Sequence, residues 1–130
     1  MEGDLIERLR AYGALTAIVG NRINYLSRVQ GETLPAITIM PVSPGRDYTM
    51  TGPTGSHGTI IQFDIWAGRF EQALQAFSAL LTALEGPAVV GSTVFEMSFL
   101  QSRRDTAEEV QGEGTIGRVS ADFLIWHHPA

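Results

Sequence analysis

The chain has 130 residues, a net charge of −5, no cysteine and no lysine, so every basic side chain is an arginine. A thiolate metal centre, a cysteine nucleophile and a disulfide framework are excluded. General binding to a nucleic-acid backbone, which needs clustered cations, is disfavoured.

The length suits one domain over 1–130. Charged residues make up 18% of the chain, below the ~25% usual for soluble domains. Two readings stay open: a compact domain rich in alanine and glycine, or a surface partly covered by a partner. The acidic start, Met1-Glu2-Gly3-Asp4, lacks the basic-then-apolar pattern of a signal peptide. No apolar run reaches the ~18 residues that span a membrane. A soluble intracellular protein is expected.

Residues 3–12 place Leu5, Ile6, Leu9 and Tyr12 at helical spacing, and 14–19 continue with Leu15, Ile18 and Val19 up to Gly20-Asn21, a helix stop. An irregular connection is expected over 21–34. Pro35–Val42 alternates as a strand with a proline near each end. The density of Gly, Pro and Ser over 43–58 predicts a long loop or a mobile hairpin tip. Thr59–Ala67 is a strand with Thr59, Ile61, Phe63 and Ile65 on one face and Ile60, Gln62, Asp64 and Trp66 on the other. Ala73, Leu74, Phe77, Leu80, Leu81 and Leu84 form the apolar stripe of a helix over 70–85, ended by Gly86-Pro87. Ser92–Leu100 is a third strand, in which Phe95, Met97 and Phe99 alternate against Glu96 and Ser98. A second polar loop, with room for a short helical turn, is expected over 101–115, and the link between the last two strands reads as a long hairpin. The last strand, Ile116–His127, turns Val119, Ala121, Phe123 and Ile125 inward. Together these predict an α/β (α+β) two-layer sandwich: a mainly antiparallel four-stranded sheet packed by one long helix plus short N-terminal helices.

Few residues suggest chemistry. Gly112-Glu113-Gly114-Thr115-Ile116-Gly117 has dinucleotide-loop spacing, but a strand rather than a helix follows it and Glu113 repels phosphate. Gly52-Pro53-Thr54-Gly55-Ser56 lacks the lysine of a phosphate loop. His127 and His128, adjacent in a strand, point to opposite faces and do not share a metal ion easily; His57 is the one residue able to join either. All three are expected to be exposed. Asp64 and Asp122 sit mid-strand on the second face, where an arginine partner such as Arg118 or an inter-subunit contact is expected rather than an acid–base role. Trp66 and Trp126 share that face and are expected to bury against the N-terminal helices or against a neighbouring subunit. No catalytic, cofactor-binding or metal residue is assigned.

Leu15-Thr16-Ala17-Ile18-Val19-Gly20-Asn21-Arg22-Ile23, Leu34-Pro35-Ala36-Ile37-Thr38-Ile39, Gly52-Pro53-Thr54-Gly55, Ile61-Gln62-Phe63-Asp64-Ile65-Trp66-Ala67, the Ala- and Leu-rich helix and Asp122-Phe123-Leu124-Ile125-Trp126 follow in that order. The series resembles the tail-terminator, or tail-completion, proteins of long-tailed phages and gene-transfer particles. The resemblance implies a non-enzymatic virion protein that forms a hexameric ring at the head–tail junction. Such a ring caps the tail tube, joins it to the head connector or stopper, and passes DNA through its lumen without specific binding. Assembly in the bacterial host cytoplasm, and no cofactor, metal or membrane, complete the expectation. An acidic protein suits such a channel, because it repels the DNA that moves through it. Loops 43–58 and 101–115 are the expected contact regions, with Arg46, Asp47, His57, Arg103, Arg104, Glu108 and Glu109 as contact residues. Three alternatives remain at this level: an enzyme using Asp64 and Asp122 with His127, a homo-oligomeric α/β ligand-binding module, and a different joining protein such as the stopper.

Overall fold

The computed structural model describes residues 1–26, 34–42, 50–51, 56–110 and 114–130. Helices α1 (Glu2–Arg10) and α2 (Gly13–Val19) lead into strands β1 (Ile23–Tyr25), β2 (Ala36–Pro41), β3 (Met50–Thr51) and β4 (His57–Ala67). Helix α3 (Phe70–Ala83) follows, then β5 (Ala88–Val90), β6 (Thr93–Val110) and β7 (Gly114–Pro129). The seven strands form one sheet in the order β1-β2-β4-β7-β6-β5, with β3 paired to β4. Every pairing is antiparallel except β1 with β2. The fold is therefore mixed α/β with a mainly antiparallel sheet.

The four-strand expectation is corrected to seven strands among the described residues. The short strands β1, β3 and β5 were hidden because two or three residues are too few to show an alternation. Strand β1 lies inside the supposed irregular connection 21–34, whereas within 43–58 strand β3 pairs antiparallel with the start of β4, in line with the hairpin reading of that stretch. Residues 27–33, 43–49, 52–55 and 111–113 lie outside the described residues.

The largest correction concerns 101–115. Residues 101–110 are not a loop but the continuation of β6, paired with β7 down to Val110↔Gly114. The stretch is polar on both faces because this strand is exposed along it, so no apolar row marks it as a strand. Ion pairing along and across the ladder replaces apolar packing: Arg103 Nε and Nη2 each donate to Asp105 at 2.9 Å, and Arg104 stands 3.6 Å from Asp122 on β7.

All three helices pack on one side of the sheet. α3 lies on β4 and β7, α2 on α3, and α1 between β1 and β5. The core joins Leu5, Leu9, Leu15 and Val19 from the first two helices to Ile37, Ile39, Ile61, Phe63, Ile65, Phe95, Val119, Ala121, Phe123 and Ile125 from the sheet. Phe63 and Phe123 meet edge-on at 5.3 Å between ring centres. Small residues Ala73, Ala76 and Ala83 line the buried side of α3 and let the helix approach the sheet closely. Gly117 sits where a Cβ would come within 3.3 Å of the Phe70 backbone. Arg8, buried at 8% exposure, ties α1 to the end of α3 by donating to the carbonyls of Glu85 and Gly86 at 3.3 and 3.0 Å. A cation at the carbonyl end of a helix is favourably placed.

Candidate assembly interface

The opposite face of the sheet carries no helix among the described residues. Register places Thr38, Gln62, Asp64 and Trp66 on it, beside Arg118, Ser120, Asp122, Leu124 and Trp126 of β7. Its centre is an ion-paired network. Arg118 Nη2 donates to Asp64 Oδ2 at 3.2 Å, Gln62 Nε2 donates to the same carboxylate at 3.1 Å, and the Arg118 guanidinium lies 4.7 Å over the Trp66 ring. Trp66 Nε1 donates to Thr38 Oγ1 at 3.3 Å. Asp122 accepts from Ser102 at 3.0 Å. The Arg118 partnership expected for Asp64 is thus present. The two aspartates are held by different arginines, so they do not form the shared-proton pair that an acid–base dyad needs. The expectation that both tryptophans bury against the N-terminal helices is corrected: they sit on the face the helices leave bare, Trp66 against Arg118 and Trp126 over Gly58.

Towards the other end this face turns apolar, and the cause is a β-bulge. The ladder slips between Phe95 and Met97. Phe95 points into the core, fully buried, while Met97 and Phe99 are rotated outward to 56% and 44% exposure. The alternation of Phe95, Met97 and Phe99 therefore does not describe one buried row. After the slip Ser98 and Leu100 face α3 instead, and Leu100 remains 45% exposed. Sequence reasoning missed these outward residues, because a bulge leaves no mark in the hydrophobic pattern.

The expected contact residues fall in different places. Arg46 and Asp47 lie outside the described residues, as does the side chain of Glu108. His57 is not a loop residue: it opens β4 directly opposite His127, with ring centres 6.0 Å apart, and both are half-buried rather than exposed. His127 Nε2 and Thr59 Oγ1 are in hydrogen-bond contact at 2.8 Å. Burial, then the neighbouring His57, push the His127 imidazole below its ordinary range. His128 faces Glu96 instead, at 3.5 Å. Arg103 is drawn under α3, 4.6 Å over the Phe77 ring, and is clamped by Asp105. Arg104 keeps a half-exposed side chain, and Glu109 is exposed on β6.

Three cavities accompany these features. One of 440 Å³ lies between Gly68 and Phe70 and the β6–β7 hairpin. One of 350 Å³ lies beside His57, His127 and His128. One of 260 Å³ lies between Leu81, Leu84 and Glu85 of the α3 end and Ser98, Leu100 and Phe123. None of the three is lined by Asp64 or Asp122. No group of three or more His, Asp or Glu among the described residues is placed to hold a metal ion.

A family model described as "Tail completion protein gp17" matches residues 3–128. The chain is also similar in fold to a chain from a solved structure titled "Virion of native gene transfer agent (GTA) particle". That similarity has a TM-score of 0.68 at 19% identity and covers 100% of this chain and 95% of the other. No curated protein sequence matches this chain.

Proposed function

This chain belongs to the tail completion protein gp17 family, a structural component of phage-type tails, and from that premise we propose how it works. It assembles as a hexameric ring on the end of the tail tube, at the head–tail junction. There it stops tube growth, joins the tail to the head connector, and leaves an open lumen through which DNA passes. The protein is non-enzymatic, and it acts through its contacts.

The observation that carries this reading is the contrast between the two sides of the sheet. One side is sealed by three helices over a closed apolar core. The other exposes Met97 and Phe99 next to an arginine–carboxylate network. Apolar and aromatic residues and arginines inside a polar surround are the composition of interface cores. A head-to-tail ring needs two different complementary patches on each subunit, and the bare face and the long β6–β7 hairpin supply two. The net charge of −5 suits a lumen that must not hold on to DNA.

Purified tail tubes provide the test. When added to tubes still elongating, the protein is expected to arrest growth and to be found at one end of each tube by gold labelling. Tubes that lengthen at an unchanged rate in its presence, with label along their sides or nowhere, would overturn the reading.

A further inference from the structure

The apolar end of the bare face forms a floor. Register sets Met97 beside Trp126 and Phe99 beside Leu124, all on the side away from the helices. Met97 and Phe99 are exposed, and Leu124 and Trp126 half-buried next to them. The floor carries no charge, but charges mark its two ends along β6. Glu96 stands at one end, about a third exposed and beside His128. Arg104 stands at the other, half-exposed beside Asp122. Helix α3 carries the complement of this pattern on an exposed flank. Phe70 and Leu74, one turn apart, are 41% and 38% exposed although both are apolar. Arg69 lies just before the helix, 72% exposed, with Glu71 at 3.6 Å, and Glu85 lies exposed just beyond its end.

Resting on the ring reading above, we propose that the Met97–Phe99 floor of one subunit receives the exposed α3 flank of a second copy of this chain. The spacings agree. Arg69 to Glu85 spans about 24 Å at the helical rise. Glu96 to Arg104, shortened by the two ladder slips, spans about 23 Å at the strand rise. Phe70 to Leu74 and Met97 to Phe99 each advance about 6 Å. Laid along β6 in the same direction, the copy's α3 sets Arg69 on Glu96, Phe70 on Met97, Leu74 on Phe99 and Glu85 on Arg104. Opposite charges meet at both ends and apolar side chains meet between them. The reverse direction sets like charges together at both ends, so charge fixes the orientation. A helix laid by anchors one turn apart onto an apolar surface is a recurrent recognition mode, and methionine and aromatic side chains are enriched in interface cores. A subunit cannot fill its own floor, because its α3 lies on β4 and β7 across the sheet. With the two patches on opposite sides of the sheet, the contact cannot close reciprocally as a dimer. It is head-to-tail and passes from copy to copy around a ring.

The chain lacks cysteine, so an introduced pair reads the contact directly. Continued by one helical turn, the alignment sets Ser78 of one copy on Ser102 of the next. Both serines are exposed, and they lie on opposite sides of the sheet, so they cannot link within one chain. The double variant Ser78→Cys/Ser102→Cys, assembled on tail tubes and oxidised, is expected to give a ladder of linked subunits on a non-reducing gel. Ser78→Cys/Ser92→Cys, with its second cysteine in the exposed turn before β6, is expected to give none. Phe99→Asp places a charge in the middle of the floor and is expected to abolish ring formation, with circular dichroism reporting that the variant folds. If it does not fold, the cysteine pair carries the test. Rings of the Ser78→Cys/Ser102→Cys variant without the ladder, or rings of a folded Phe99→Asp protein, would overturn the helix-docking proposal alone. No ring from the unmodified protein, free or on tubes, would overturn the ring reading with it.

Discussion

Two arginines show what single residues contribute. Arg118 and Asp64 form a shielded pair on the bare face, with Asp64 at 8% exposure. Removing one member leaves the other desolvated and unpaired, which costs more than the pair contributes net. Arg118→Ala is expected to destabilise the fold by about 2 kcal/mol in urea titration, and Asp64→Asn by less, because the amide still accepts from Arg118. Arg8→Ala removes the two bonds to the end of α3 and the contact over the Phe95 ring at 5.3 Å. It is expected to cost about 2 kcal/mol, while Arg10→Ala, whose side chain caps the Ile23 carbonyl from an exposed position, costs less. Asp64's arginine was legible from the sequence, since two strands with opposite charges on one face invite that pairing. Arg8 was not, because its partners are main-chain carbonyls 77 and 78 positions away.

Elements respond to packing at their crossing points. At Gly117 an added Cβ meets the Phe70 backbone, which cannot step aside, whereas at Gly58 it meets the ends of the Leu124 and Trp126 side chains at 3.2 Å. Gly117→Val is expected to cost about 2 kcal/mol by separating α3 from β7. Gly58→Ala costs less and is read as a shift in Trp126 fluorescence. The β4–β7 pairing also carries a pH dependence. Since burial and His57 favour the neutral His127 imidazole, its folded pKa lies below the unfolded value of ~6.5. The unfolded chain then binds the proton more readily, so stability is full above ~6.5 and is lost as pH falls through the folded value. A thermal series from about pH 7.5 down to about pH 5 is expected to show a falling midpoint, flattened in His127→Gln. An unchanged slope in that variant would place the titration elsewhere. At this scale the helices were legible within a residue or two, because α1, α2 and α3 bury residues at helical spacing. Strand β6 was legible only over its apolar first half. Its second half is held by ion pairs and by β7, a non-local cause that no window of sequence contains.

Across the described residues, the sheet has one face covered by helices and one face without a helix. The sequence pointed to the family through the order of its elements, and the match over residues 3–128 agrees with that reading. The contact regions expected at 43–58 and 101–115 were inferred from polarity. Among the described residues, exposed apolar side chains include Met97, Phe99 and Leu100, on the strand that runs on into the second region, and also Val89, Leu26 and Tyr25. Ring assembly is the central claim, and the most direct measurement is light scattering across a concentration series, with and without tail tubes, paired with negative-stain images of the largest species. The account predicts hexameric rings with an open centre, free in solution or at tube ends. A protein that stays a monomer or a closed dimer under both conditions would contradict it.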